Sequence, residues 1–180
     1  MSSYHTVLFK SRNKDNKHLE GFKERSKTFL SDKSFNELSD KFEQFVDKGV
    51  EGELSRFYRS VNSRDIKKAN TKLVHYLIDN PDFPPHKLQT KLVSLASEKN
   101  CAVESKWLFD YDGEDTKVVS FVEQVEEYFE GKEQDIKLAR TVSGFAVTVP
   151  HGFDTRELLK EWSDVSLHRD GQLFISHKTK

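Results

Sequence analysis

An apolar strand that ends in two carboxylates constrains this chain more than any other stretch. It lies within the segment SKWLFDYDGED, where the run Trp-Leu-Phe is followed by Asp110 and Asp112 and then by Gly113. Because side chains alternate across a strand, the two carboxylates share one face. Mg²⁺ is bound by one or two carboxylates together with substrate phosphates, so Asp110 and Asp112 are candidate ligands for Mg²⁺ or Mn²⁺. The alternative interpretation is that these acids only cap the helix that follows.

The composition indicates a globular protein with a single core, or a core with an appended subdomain. Of the 180 residues, 35% are hydrophobic, 33% are charged and 14 are phenylalanine. No apolar run is as long as a membrane span, and the N-terminus lacks the apolar segment of a signal peptide. We therefore expect a cytoplasmic protein without a membrane partner. The single cysteine, Cys101, excludes an internal disulfide bond, and no Cys/His pattern indicates zinc.

The two halves of the chain differ in charge. Residues 1–100 contain 19 Lys and Arg against 14 Asp and Glu, whereas residues 101–180 contain 10 against 16. The basic half is therefore where we expect a polyanion to bind, and the acidic half is where we expect a cation. Solvated domains often show an asymmetry of this size, so it supports other observations and does not replace them.

The apolar patterns predict an α+β fold, with a mixed or antiparallel sheet and helices packed mainly on one face. We expect residues 1–52 to form a strand and a helical subdomain packed on a core of residues 53–180. Helices are predicted over 22–30, 34–46, 64–79, 86–97, 115–129 and 154–162. Strands are predicted over 4–10 and 135–142, and in a central sheet over 53–61, 106–112, 144–149 and a closing hairpin of 165–168 and 172–177.

A basic segment with interleaved aromatic residues begins on one of these strands. Between Arg56 and Lys72 the chain has six basic residues and one acidic residue, and Phe57 and Tyr58 follow the first arginine. Arginine and aromatic side chains can hold phosphates and stack bases, and we expect Phe57 in the core and Tyr58 near the ligand. The alternative is a helix with a lysine-rich solvated face. The candidate nucleic-acid contacts are Arg56, Tyr58, Arg59, Arg64, Lys67 and Lys68.

The chain resembles small phage proteins whose core is similar to the archaeo-eukaryotic primase superfamily. The resemblance rests on four segments and their order along the chain: FYRSVNSRDIKKAN, WLFDYD, TVSGFAVTVPHGFD and VSLHRDGQLFI. The resemblance covers about residues 54–176 and implies an RNA-recognition-like sheet that uses two divalent metals. It assigns the family's acidic pair to Asp110 and Asp112, and its small-residue turn to Ser143 and Gly144. His168 lies near a strand end in the acidic half and is a further candidate.

Two positions depart from that pattern. Ala146 stands where the family has a histidine, and Ser166 stands where its third acidic residue is expected, with Asp164 the nearest acid. Alanine cannot hydrogen-bond a triphosphate, and two carboxylates hold two metals less well than three. We therefore expect a nucleic-acid-binding protein that favours RNA or single strands and has little or no catalytic activity.

Other functions stay open at this point. One is an active metal-dependent primase-polymerase or nuclease, and another is a structural or protein-interaction module whose acidic half binds a protein partner. A phage-encoded protein would act inside the infected bacterial cell.

Overall fold

The computed structural model describes residues 3–129, 131 and 135–180 and contains two sheets. Phenylalanines on neighbouring strands form the core of the first sheet. Phe9 and Phe57 face each other across neighbouring strands, and both are fully buried. Sheet 1 is antiparallel with the order β2-β1-β3-β8. Its strands are β1 (His5–Ser11), β2 (Arg25–Ser31), β3 (Leu54–Ser60) and β8 (Gln172–Thr179).

Helix α1 (Phe35–Asp47) covers one face of sheet 1. It begins at a capping box, in which Ser34 accepts a hydrogen bond from the Glu37 backbone and the Glu37 side chain accepts one from the Ser34 backbone. Its phenylalanines at helical spacing, Phe42 and Phe45, pack on Phe9 of the sheet. The helix predicted over 34–46 is therefore confirmed.

Sheet 2 is also antiparallel and has the order β5-β6-β4-β7. Its central strand β4 carries Phe109 and Tyr111 into an apolar core with Phe121 and Val125 of helix α4. The predicted strand over 106–112 is thus confirmed as a central one. The elements of this half are β4 (Trp107–Tyr111), α4 (Val118–Glu126), β5 (Lys137–Arg140), β6 (Phe145–Val149), α5 (Arg156–Glu161) and β7 (Val165–His168).

Helices α2 (Ile66–Asp79) and α3 (Leu88–Ala96) form a hairpin beside the sheets. Its small buried cluster consists of Ala69, Ala96 and Cys101, with Leu30 of β2 packed against it. Within α2 only Ala69 is fully buried, and the apolar side chains of Ile66, Leu73 and Leu77 are half-buried.

Three sequence predictions about the architecture are wrong. The helix predicted over 22–30 is largely strand β2, because residues 25–31 pair along their whole length with β1. The predicted single central sheet is two sheets. The predicted closing hairpin does not form, because β7 pairs with β4 in sheet 2 whereas β8 pairs with β3 in sheet 1. The turn at Asp170-Gly171 therefore carries the chain from one sheet to the other.

Buried polar contacts tie the two sheets together near this turn. The Asn62 side chain donates to the Lys106 carbonyl at 3.0 Å and accepts from the Lys106 amide at 2.9 Å. Arg64, which is 4% exposed, donates through both terminal nitrogens to Asp170, at 2.7 and 2.9 Å. Bidentate pairs of this kind fix orientation as well as distance, so the two sheets are held in one arrangement.

The α+β class is confirmed, with two antiparallel sheets and five α-helices in the described part of the chain. The boundary expected between residues 52 and 53 stays a prediction, although β1 and β2 share a sheet with β3 and β8. None of the helices in residues 3–129, 131 and 135–180 is both long and apolar enough to cross a bilayer.

Candidate nucleic-acid interface

A groove of about 360 Å³ lies between the two sheets, on the faces turned away from helices α1 and α4. Side chains alternate across each strand, so the residues next to the buried phenylalanines face the groove. Sheet 1 and the loop after β1 provide one wall, with Arg12, Lys14, Arg56, Tyr58, Gln172 and Phe174. Sheet 2 and its turns provide the other, with Leu108, Asp110, Asp112, Thr141, Ser143, Ala146 and His168.

The cations of the first wall are held by one carboxylate. Asp15 accepts from Arg12 Nε at 2.9 Å and from a terminal nitrogen of Arg56 at 2.5 Å. Burial opposes ionisation of Asp15, but the hydrogen bonds from both arginines outweigh it and lower its pKa. Two guanidinium groups share one carboxylate, so this wall keeps a net positive charge, to which Lys14 adds.

The loop that presents Arg12 and Lys14 is anchored to sheet 1. Asn16, which is 1% exposed, donates to the carbonyls of Arg12 and Leu54 at 2.9 and 3.0 Å and accepts from the Leu54 amide at 2.7 Å. These three hydrogen bonds fix the backbone of the loop, which places Arg12 and Lys14 at the rim of the groove.

The carboxylates of the second wall are arranged as the strand pattern predicts. Asp110 lies on β4 and Asp112 directly follows it, and both line the groove near Ser143, whose Oγ donates to Asp112 Oδ1 at 3.3 Å. Burial raises the pKa of Asp110, and the negative charge of Asp112 raises it further. The electrostatic effects of His168, Arg12 and Arg56 lower the pKa of Asp110 and so act in the other direction.

Gly144 is required by a close backbone approach at this turn. A Cβ at this position would lie 2.0 Å from the Tyr111 carbonyl oxygen, so any other residue would push the turn away from β4. The Gly144 amide donates to Thr141 Oγ1, and its carbonyl accepts from the Thr141 amide. Gly144 thereby sets the position of Ser143 beside Asp112.

The two positions that depart from the primase-like pattern are the cross-strand neighbours of Asp110. Ala146 of β6 is paired with Asp110 on one side, and Ser166 of β7 on the other. Asp164 is not part of the groove wall. It lines a separate cavity of about 270 Å³ with Tyr111 and Trp162. The Asp164 carbonyl accepts from the Asp112 amide at 2.9 Å, so this acid adjoins the pair through its backbone, although the residue does not line the groove.

The predicted basic contacts are not all brought together. Arg56 and Tyr58 line the groove, and Phe57 is fully buried on the opposite face, as the alternation predicts. Arg59 is paired with Val7 and lies on the same face as Phe57, towards α1. Burial lowers the pKa of Arg59.

The three remaining basic candidates are on or before α2. Arg64 is occupied by Asp170 across the sheet-to-sheet turn. Lys67 and Lys68 are exposed on α2 and are not among the residues that line the groove. The helix N-cap, Asp65, accepts from the Lys68 amide, which fixes the first turn of that helix.

The groove offers a divalent cation two carboxylate ligands, Asp110 and Asp112. In the part of the chain that the structure describes, no group of three or more His, Cys, Asp or Glu side chains is placed to hold a metal ion. Asp110 and Asp112 nevertheless lie together, and the charge of Asp112 raises the pKa of Asp110, which a bound cation would relieve. These two carboxylates fit a weakly held Mg²⁺ or Mn²⁺ that completes its shell with phosphates and water.

The sequence did not identify several residues of the groove, and four of these belong to sheet 1 and the loop after β1. Arg12 and Lys14 belong to the polar loop after β1, and its basic composition was the signal that could have identified them. Gln172 and Phe174 are on β8, where alternation marks one face but does not indicate which sheet the strand joins.

Comparison with known proteins gives no match: no family model fits the chain, and neither curated proteins nor solved structures show a similar one.

Proposed function

We propose that this protein binds nucleic acid, RNA or single strands, in the groove between its two sheets, as a binding protein with little or no catalytic activity. The observation that carries the proposal is the juxtaposition of Arg12, Lys14 and Arg56 with the Tyr58 ring on one wall. Cations that follow a phosphate backbone, combined with rings on which bases stack, are the usual means of binding single strands.

The opposite wall predicts that binding depends on divalent cations. Phosphates seated against the arginines face Asp110 and Asp112, which repel them. A divalent cation between the carboxylates and the phosphates turns this repulsion into attraction. We therefore expect Mg²⁺ or Mn²⁺ to strengthen binding, although monovalent salt weakens it.

Low catalytic power follows from the neighbours of Asp110. Ala146 and Ser166 flank it and offer no imidazole and no third carboxylate. The second candidate function, a metal-dependent primase-polymerase or nuclease, is favoured by the raised pKa of Asp110, since perturbed carboxylates cluster at active sites. Incubation with nucleotides, template and Mn²⁺ distinguishes the two, because the binding protein yields no product.

The decisive experiment compares two double variants, one that removes two basic residues from the groove and one that removes two from helix α2. Arg12→Gln/Lys14→Gln removes charge from the groove, and Lys67→Gln/Lys68→Gln removes the same charge from α2. Binding of a labelled single-stranded RNA is followed by fluorescence anisotropy at several salt concentrations. Two lost phosphate contacts should flatten the slope of log K against log salt by about 1.4 for the groove variant. The helix variant should bind as wild type does.

The opposite result would place the interface on α2, which carries two of the basic contacts predicted from the sequence, Lys67 and Lys68. Absence of binding by the wild type at low salt would favour the remaining alternative, a structural or protein-interaction module.

A further inference from the structure

A second cavity, of about 490 Å³, lies beside the groove at the turn between β7 and β8. The linings of the two spaces meet at consecutive residues. At the end of β7, His168 lines the groove and Arg169 lines the cavity. At the start of β4, Leu108 lines the groove and Trp107 lines the cavity. Consecutive Cα atoms are about 3.8 Å apart, so the cavity begins within one residue of the groove wall.

Two cations at this cavity have no partner among the acids of the protein. Lys99 and Arg169 are exposed and line the cavity. Within residues 3–129, 131 and 135–180, neither side chain makes an ion pair or a hydrogen bond. Both charged groups are therefore accessible to a ligand and free to bind an anion.

The two carboxylates that line the same cavity are already engaged. Asp170 accepts from both terminal nitrogens of Arg64, at 2.7 and 2.9 Å. Glu104 accepts from the amide and the hydroxyl of Ser63, at 2.7 and 2.8 Å, and lies 3.8 Å from Lys106 Nζ. Each acid thus has a cation of the protein beside it, so the two free cations leave the cavity with a net positive charge.

An aromatic stack supports one of the free cations. The guanidinium carbon of Arg169 lies 5.2 Å from the centroid of the Trp107 ring, within the range of cation–π contacts. Phe153 stacks on the same indole at a centroid distance of 6.4 Å. A Cβ on Gly152 would lie 2.1 Å from Trp107 Cζ2, so glycine is required where the backbone lies against the ring. These contacts favour a guanidinium that stays at the cavity wall.

We propose that this cavity is a second phosphate subsite, which binds a backbone phosphate of a single strand that has left the groove past His168. This inference rests on the proposed function and extends the binding surface beyond the groove. Arg169 can donate two parallel N–H groups to one phosphate, and Lys99 adds a point charge. Binding then depends on strand length, because a strand too short to cross the turn contacts the groove alone.

The test compares strands of different length. Labelled single-stranded oligouridylates of increasing length are titrated with the full chain, and fluorescence anisotropy is measured at several salt concentrations. For the wild type, affinity and the slope of log K against log salt should both rise in a step once the strand reaches the cavity. Lys99→Gln/Arg169→Gln should flatten that slope by about 1.4 for long strands, as expected for two lost phosphate contacts, and should leave short strands unchanged.

The matched control is Lys33→Gln/Lys48→Gln, which removes two exposed cations on either side of α1. It should bind strands of every length as the wild type does. All four substituted residues are exposed, so both variants should fold, and their melting temperatures verify this.

Two results would overturn the second subsite and leave the proposed function standing. One is a wild-type affinity and salt slope of Lys99→Gln/Arg169→Gln for long strands, and the other is an equal loss of affinity for short and long strands. No binding of any strand by the wild type at low salt would overturn both proposals.

Discussion

The two sheets are similar on the faces that pack against helices and different on the faces that line the groove. Each packs a phenylalanine-rich face on a helix, with Phe9 at the centre of one core and Phe109 at the centre of the other, both fully buried. Each turns its polar face to the same groove. Both helix-packed faces are apolar, so the difference between the sheets lies in how the charges on the groove faces are balanced.

On sheet 1 both groove arginines are in ion pairs, because Asp15 holds Arg12 and Arg56. On sheet 2 the Ser143 hydroxyl donates to Asp112, and no ion pair reaches Asp110 or Asp112 within residues 3–129, 131 and 135–180. The wall of sheet 1 is therefore stable without a ligand, whereas the wall of sheet 2 gains stability when a proton or a cation binds to its carboxylates.

The largest expected effects are on the free energy of unfolding, and they test the similarity of the two apolar cores. Phe9→Ala and Phe109→Ala should each lower the free energy of unfolding by about 3–5 kcal/mol, because each leaves a cavity in a closed core. Both should show a single transition in urea, since the Asn62 and Arg64 contacts tie the sheets together. Ile78→Ala, at a position that is 72% exposed, is the control and should change stability by less than about 0.5 kcal/mol. Two separate transitions would show that the sheets unfold independently.

A smaller effect is expected from the paired wall. Arg56→Ala should lower the free energy of unfolding by about 2 kcal/mol, less than a fully broken buried pair, because Arg12 still holds Asp15. Chemical denaturation measures it, and Arg156→Ala, in an exposed pair, should leave stability unchanged.

The pH dependence of that effect follows from the lowered pKa of Asp15. A carboxylate with a lowered pKa stabilises the folded state above its ordinary value near 3.8, and this contribution is lost as the pH falls through the lowered pKa. The difference between wild type and Arg56→Ala should therefore shrink in acid. A difference that is constant from neutral to acid pH would mean that Arg56 acts through packing alone.

The smallest effect, with the opposite sign, is expected from the unpaired wall. Because the pKa of Asp110 is raised in the folded state, its contribution is present below about pH 3.8 and is lost as the pH rises through the raised value. Asp110→Asn should therefore stabilise the protein at pH 7, by about 0.5 kcal/mol.

The same wall should respond to metal. Mn²⁺ should raise the melting temperature of the wild type more than that of Asp110→Asn/Asp112→Asn, as measured by calorimetry without any nucleic acid. An equal response of both proteins would show that the carboxylates do not bind the cation.

Local sequence patterns predicted where helices and strands lie better than they predicted which strands pair with one another. Helix α1 was predictable because its capping box and its phenylalanines are written within one short segment. Strand β2 was not, because its only fully buried apolar residue is Phe29 and its strand character comes from pairing with β1. The turn at Asp170-Gly171 resembles a hairpin signal, but turn chemistry does not encode which sheet each flanking strand joins.

The candidate site was predicted in two unconnected pieces. Asp110, Asp112, Ser143 and Gly144 were expected together, and the structure brings them together. Arg56 and Tyr58 were assigned to a basic patch elsewhere, because residues in opposite halves of the chain face each other only through the tertiary fold.

The crossing from β7 to β8 also determines where the chain tolerates insertions. Gln172 and Phe174 face the groove, whereas Ile175 packs into the core behind sheet 1. One residue added between His168 and Gln172 would shift β8 by one position and exchange these faces, which buries polar groups and empties the groove wall. The segment between α2 and α3 has no such register to keep. Natural variation and engineered tags should therefore accumulate there and avoid the short turn.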